Sequence, residues 1–241
     1  MNVLPYVETI KYLLLENVAG FETSKARDDV IDSLTSSGFE TQEFLICPRQ
    51  IGIPNSRMRY YLLAKKGEHI NWSFTKSNCL IRSFENLSGN MEIMSMTIDS
   101  HKISEYFDHE SDTVGFDNLE VPAQVLSKHG KILDIVRSDS IVSCCFTAGY
   151  FRYCEGTGSV IQTEGTEADL HSTYSMLQSH GPDILSNLKL RYFSPREVSK
   201  LLGFPATFSF PSSTTLRQQY KSLGNSLNVT VVGLLIFSLL K

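Results

Sequence analysis

At 241 residues the chain is long enough for one sizeable core, or for a core with an inserted lobe. Apolar content of 41%, charged content of 20% and a net charge of -4 belong to an ordinary globular composition, and they give no bulk attraction to nucleic acid. Five cysteines without CxxC spacing, six scattered histidines and no signal-peptide pattern exclude a disulfide framework and a zinc site, and they predict a reducing compartment, cytoplasmic or nuclear.

In chain order, Met1 to Ile10 reads as the tail of an amphipathic helix without capping residues before it, so the chain is expected to begin in the middle of a domain. Leu13-Leu14-Leu15-Glu16-Asn17-Val18 predicts a strand buried on both faces, closed by a turn at Gly20. Glu16 then sits near a strand end, where open α/β sheets place their ligands. Its carboxylate is either chemical or a cap for the next helix. That helix is predicted over Thr23 to Ser36, with Gly38 as its stop. Phe39 to Ile46 and Arg57 to Lys65 alternate like strands. Arg57 and Arg59, at i and i+2, are expected on one face of the second strand, either as surface charges or as a pair that holds a base edge and a phosphate.

From about Gly67 to Leu190 the segments are short, polar and poorly periodic, with an acidic run from Glu105 to Glu120 and islands of order at Ile132 to Val136 and Ile141 to Tyr153. The stretch CFTAGYFRYCEGTGS (145–159) interleaves aromatics, Arg152 and glycines, which suits a base-stacking loop or a structural turn. Ser194-Pro195-Arg196-Glu197 reads as N-cap, first-turn proline and capping-box Glu, launching a helix through Leu202. Leu223 to Val229 (LGNSLNV) places a tight turn before an apolar C-terminal helix, which Asn225 and Ser226 are expected to cap while its free N–H groups hold a ligand carboxylate. The apolar run from Leu227 to Leu240 is shorter than the ~20 residues of a membrane span and reads as a buried helix. Residues 67–140 carry 6 basic and 12 acidic side chains, residues 191–241 carry 6 and 1, so any phosphate-tracking face belongs to the C-terminal segment.

The order of these segments resembles the cytosine-5 methyltransferase family. A Glu-Asn-Val strand end precedes an Arg-x-Arg strand and a long irregular insert. RYFSPREVSKLLGFP (191–205) and LGNSLNV (223–229) then resemble the family's closing motifs. Within the family, CFTAGYFRYCEGTGSV (145–160) is similar to the tRNA-directed branch. The resemblance implies an α/β fold: the C-terminal half of a Rossmann-like methyltransferase core with a mixed, irregular target-recognition insert. It divides the chain into 1–66 and 191–241, both core, and 67–190, the insert. It also implies S-adenosyl-L-methionine as cofactor, with Asn225 and Ser226 at its site, and tRNA as partner, with the anticodon loop of aspartate tRNA as the family expectation. DNA is the alternative substrate, and no membrane is expected.

What the resemblance implies for mechanism fits the base. Carbon 5 of cytosine is a poor nucleophile until a cysteine thiolate adds to carbon 6, after which it takes a methyl group from S-adenosylmethionine. Glu16 matches the carboxyl group at ring nitrogen 3, a role worth about 10²–10⁴-fold, and Arg59, with Arg57 beside it, matches the contacts to the base oxygen and its surroundings. Cys145, Phe146, Thr147 and Arg152 are the expected substrate-loop residues. The family's Gly-rich cofactor turn and its Pro-Pro-Cys-Gln nucleophile loop have no counterpart here, and none of Cys47, Cys79, Cys144, Cys145 or Cys154 matches the attacking cysteine. The expectation is therefore an N-terminally truncated chain with an incomplete cofactor site, inactive alone. It would act either as an RNA-binding or regulatory isoform or beside a full-length partner chain.

Overall fold

The computed structural model describes residues 9–67, 72–84, 100–108, 119–180 and 182–240. The expected helix tail before Thr9 and residues 109–118 of the acidic run lie outside them. Contacts group the chain into two compact units: one holds residues 1–52, 58–99 and 229–241, the other 53–57 and 100–228.

The first unit is built on a three-stranded sheet. The triple leucine forms β1 (Tyr12–Val18), Gly20 takes the left-handed φ of 99° that its exit turn requires, and Ser24 caps α1 (Lys25–Ser36) by accepting a bond from the Arg27 amide. Gly38, at φ 82°, turns the chain into β2 (Glu40–Ile46). The sheet order is β1-β3-β2, where β3 (Arg59–Lys65) is antiparallel to both neighbours, so β1 and β2 run in the same direction. This order corrects the expected burial. The edge strand β1 is half-buried along its middle, whereas Tyr60 to Lys65 of the central strand are all buried. A triple-leucine run signals a strand, but only its place in the sheet decides how much water it loses.

Alternation assigns the faces. Leu13 and Leu15 of β1 and Tyr60, Leu62 and Ala64 of β3 pack with Val30, Ile31 and Leu34 of α1. The final helix, Val229–Leu240, contacts β1 and β3 and contributes nothing to that cluster, so it covers the opposite face, where Phe44, Ile46, Tyr61 and Leu63 are buried. Leu216 to Leu240 is long and apolar enough by composition to cross a membrane, but it is two helices, 216–224 and 229–240, separated by a turn.

The second unit has its own small sheet. After α2 (Ala123–His129), β4 (Asp134–Val136) pairs in parallel with β5 (Ser159–Gln162), and β5 pairs antiparallel with β6 (Leu190–Tyr192). The helix α3 (Glu167–His180) lies between β5 and β6, α4 (Pro195–Leu201) and α5 (Leu216–Gly224) follow β6, and the final helix is α6. The capping box of α4 forms as its sequence dictates, with Ser194 Oγ accepting from the Glu197 amide and the Glu197 carboxylate from the Ser194 amide. Glu197 is fully buried because it also takes two bonds from the Arg191 guanidinium, at 2.7 and 2.9 Å. An aromatic cluster of Phe146, Tyr150, Phe193 and Tyr220 forms the middle of this core.

Candidate active site

The expected site residues fall into two groups, one in each unit. In the first unit, Val18 of β1 lies opposite Arg59 of β3. Glu16, two residues back along β1, shares that face and is the diagonal neighbour of Arg59. The side chains meet there, with Glu16 Oε1 3.3 Å from Arg59 Nε, while Arg59 Nη1 donates to the Met58 carbonyl at 2.7 Å. Glu16 Oε1 is nevertheless buried without a hydrogen bond from the protein among the described residues. The ion pair lies outside bonding geometry, so a buried acceptor stays unsatisfied beside a guanidinium. Such a pair can take a ligand edge that carries an amino donor next to a carbonyl acceptor. The reading of Glu16 as a helix cap does not hold, because α1 is capped by Ser24.

In the second unit the strap Ile53–Arg57 is bound to the loop before β5. Asn55 Nδ2 donates to the Cys144 carbonyl at 2.9 Å and to Ser143 Oγ at 3.2 Å. Arg57 precedes β3, which begins at Arg59, so the i, i+2 argument for one strand face does not apply to it. Its guanidinium is buried, 3% exposed, and donates to the carbonyls of Phe146 (3.2 Å), Gly224 (3.4 Å) and Ser226. Cys145 Sγ lies 3.6 Å from Arg57 Nη1.

The loop after Cys145 corrects the stacking expectation. Phe146 and Tyr150 are core residues, each at the edge of neighbouring rings, and Tyr150 Oη bonds the Ser159 carbonyl and the Phe193 amide. The exposed aromatic of this loop is Tyr153, whose ring carries the Arg152 guanidinium at 4.9 Å. Thr147 is half-buried and accepts a bond from the Gly149 amide. Asn225 and Ser226 do not cap α6. Asn225 is the exposed C-cap of α5, and among the described residues the Ser226 hydroxyl donates only to the adjacent Leu227 carbonyl, at 3.3 Å. With the turn's carbonyls held by Arg57, an outward amide and hydroxyl are what it offers to a polar ligand.

The thiols differ in their readiness to react. Cys144 is pushed up to about 11 by burial and by Asp134 beside it, and burial also raises Cys154. Neither is a thiolate near neutral pH. Cys47 is buried at the turn after β2, and Cys79 is exposed. Asn55 and Gly224 carry no signal in the sequence beyond a Pro-Asn turn and a Leu-Gly-Asn turn, and both prove to bind the second unit's loops together.

A family model described as C-5 cytosine-specific DNA methylase matches residues 7–241. A tRNA (cytosine(38)-C(5))-methyltransferase of Rattus norvegicus is 37% identical over 98% of this chain and 73% of the relative. One of Schizosaccharomyces pombe is 36% identical over the whole chain and 67% of the relative. A DNA (cytosine-5)-methyltransferase of Dictyostelium discoideum is 34% identical over 93% of the chain and 64% of the relative. Among solved structures, a Spodoptera frugiperda DNMT2 mutant superposes with a TM-score of 0.85 at 31% identity, over 99% of this chain and 70% of that one. The S. pombe Dnmt2 methyltransferase gives 0.82 at 35% identity, over 99% and 69%.

Proposed function

This chain belongs to the C-5 cytosine-specific methylase family, and from that membership we propose that it recognises a cytosine in tRNA, in the anticodon loop and with aspartate tRNA as the first candidate. The observation that carries this reading is the Glu16–Arg59 pair, an unsatisfied carboxylate acceptor 3.3 Å from a guanidinium on one sheet face. Cytosine presents an amino donor, a ring nitrogen and a carbonyl acceptor along one edge, and carboxylates accept from that amino group. A base must leave its stack to be reached, and a loop base is cheaper to extrude than a paired one. Glu16 would accept from the amino group with one oxygen and, with its carboxyl protonated, donate to ring nitrogen 3 with the other, while Arg59 would donate to the base oxygen. S-adenosylmethionine, the family's cofactor, supplies the methyl group when bound. Asn225 and Ser226 would hold its polar end, and the exposed amide and weakly bonded hydroxyl of their turn fit that part.

We further propose that the chain alone binds RNA without methylating it, in a reducing cytoplasmic or nuclear compartment. The Pro-Pro-Cys-Gln segment that carries the family's attacking sulfur is not in this sequence, and the raised Cys144 and Cys154 thiols are poor substitutes. The experiment is a tRNA transcript in which the target cytosine is replaced by uridine, compared with the unaltered transcript by filter binding. Wild type is expected to prefer cytosine by about 5- to 100-fold, and Glu16→Gln to lose that preference while its non-specific, salt-dependent affinity stays. Equal binding of the two transcripts by wild type overturns the cytosine reading. A single-turnover assay with labelled S-adenosylmethionine is expected to give no transfer to tRNA or to duplex DNA. Transfer to tRNA refutes inactivity, and transfer to DNA alone refutes the choice of substrate.

A further inference from the structure

The Arg57 guanidinium sits where two ligand-facing segments touch. One is the loop Cys145–Thr147 and the other the turn Gly224–Ser226, 77 residues apart from Thr147 to Gly224 in sequence. They meet backbone to backbone: a Cβ built on Gly224 would lie 2.1 Å from the Ala148 nitrogen and from the Thr147 carbonyl carbon. Arg57 reaches both sides of this contact, since Nη1 donates to the Phe146 carbonyl and Nη2 to the carbonyls of Gly224 and Ser226. The strap that delivers it is fixed at its other end by Asn55, through the Cys144 carbonyl and Ser143 Oγ, and Ser143 Oγ in turn donates to the Pro54 carbonyl at 2.7 Å.

We propose that Arg57 is a positioning residue that couples the RNA-facing loop to the cofactor-facing turn, so that a ligand on either segment favours binding at the other. The proposal rests on the functional reading above, because it takes Thr147 and Asn225–Ser226 as ligand-facing. The planar fork of the guanidinium suits this role. Its donors diverge in one plane and bridge carbonyls from two segments at once, which a lysine ammonium on a flexible stem does not reproduce. When a ligand orders the turn, the carbonyls of Gly224 and Ser226 become fixed, the guanidinium with them, and the Phe146 carbonyl and following Thr147 lose their freedom in the same step. The second ligand then meets a segment already ordered. Linkage makes the effect reciprocal.

The test uses the whole chain, S-adenosylhomocysteine and a tRNA transcript. In wild type, saturating S-adenosylhomocysteine is expected to tighten tRNA binding by about 5-fold or more, and tRNA to tighten S-adenosylhomocysteine by the same factor. In Arg57→Lys, confirmed folded by its thermal transition, that factor is expected to fall to about 1 while each separate affinity changes less, because only the coupling runs through the fork. A merely structural arginine would lower the melting temperature and leave the factor intact, which overturns the proposal. Should Arg57→Lys fail to fold, hydrogen exchange on wild type decides. S-adenosylhomocysteine must slow the amides of 145–149 together with those of 224–228, and protection confined to 224–228 overturns the coupling. If wild type binds neither ligand, the functional reading falls. Arg57→Lys must then still loosen both segments together and spare β5, and loosening of one segment alone overturns the assignment of Arg57.

Discussion

Two glycines in neighbouring helices show how differently one residue type is constrained. Gly224, the last residue of α5, has no space for a side chain because the Thr147–Ala148 backbone crosses it. Gly233, within α6, is exposed and has nothing within 4 Å of where a Cβ would stand. Gly224→Ala is therefore expected to cost about 3 kcal/mol or more, since backbone must move to admit the methyl group. Gly233→Ala should stabilise by up to about 1 kcal/mol through reduced unfolded-state entropy. Urea midpoints of the two variants check this, and equal shifts in one direction would contradict it. The Glu16–Arg59 pair belongs to the same scale. Both side chains keep some solvent, 26% and 16%, so Glu16→Gln is expected to change stability by less than about 1 kcal/mol. A much larger loss by urea unfolding would make Glu16 a structural residue and not a ligand-facing one.

At the level of elements, α4 is the clearest case of sequence dictating structure. Ser194, Pro195 and Glu197 specify its start, and Gly203, at φ 77°, follows its end. The tertiary setting adds the larger energy. Glu197 is fully buried with the Arg191 guanidinium on both of its oxygens. Ser194→Ala, which removes the cap bond and the hydroxyl's bond to Asp108, should cost about 1–2 kcal/mol, whereas Glu197→Ala, which strands Arg191 without its carboxylate, should cost about 3–5 kcal/mol. Thermal or urea unfolding separates the two, and similar losses would mean that the cap and not the buried pair dominates. α5 has no counterpart among the helices that the sequence predicts, although Thr215 and Gln218 form a capping box of the same kind. Its apolar positions, Leu216, Tyr220 and Leu223, are too few to stand out among Arg, Gln and Lys. The expected cap at Asn225 fails for the same reason, since the turn closes α5 before α6 opens.

For the molecule as a whole, alkaline pH is the informative stress. Burial raises the phenols of Tyr60, Tyr150 and Tyr220, with Glu43 adding to the shift at Tyr60. In the unfolded chain they ionise near pH 10. A folded pKa above the unfolded one gives stability that is complete below pH 10 and is lost as pH rises beyond it. The urea midpoint should therefore hold between pH 8 and 9.5 and fall by pH 11, by less in Tyr60→Phe. An unchanged midpoint at pH 11 would contradict the buried-phenol account. The expected ranges 1–66, 67–190 and 191–241 divide motifs, whereas the two compact units divide contacts, with 53–57 and 191–228 grouped with 100–190. The sequence by itself determined the α/β class, the three strands expected from Leu13, from Phe39 and over Arg57 to Lys65 (the last begins two residues later, at Arg59), the start of α4 and the family, because each depends on local spacing or on short motifs in order. The resemblance put Glu16 and Arg59 around one base, whereas local spacing alone placed them on separate strands without bringing them together. Only the tertiary structure decided that they meet, because the meeting depends on β3 inserting between β1 and β2 in one register. The same holds for Arg57, which lies two residues before the strand begins and is a buried clamp on two distant loops. Register and chain crossing are set by packing between segments far apart in sequence, and no local pattern encodes them.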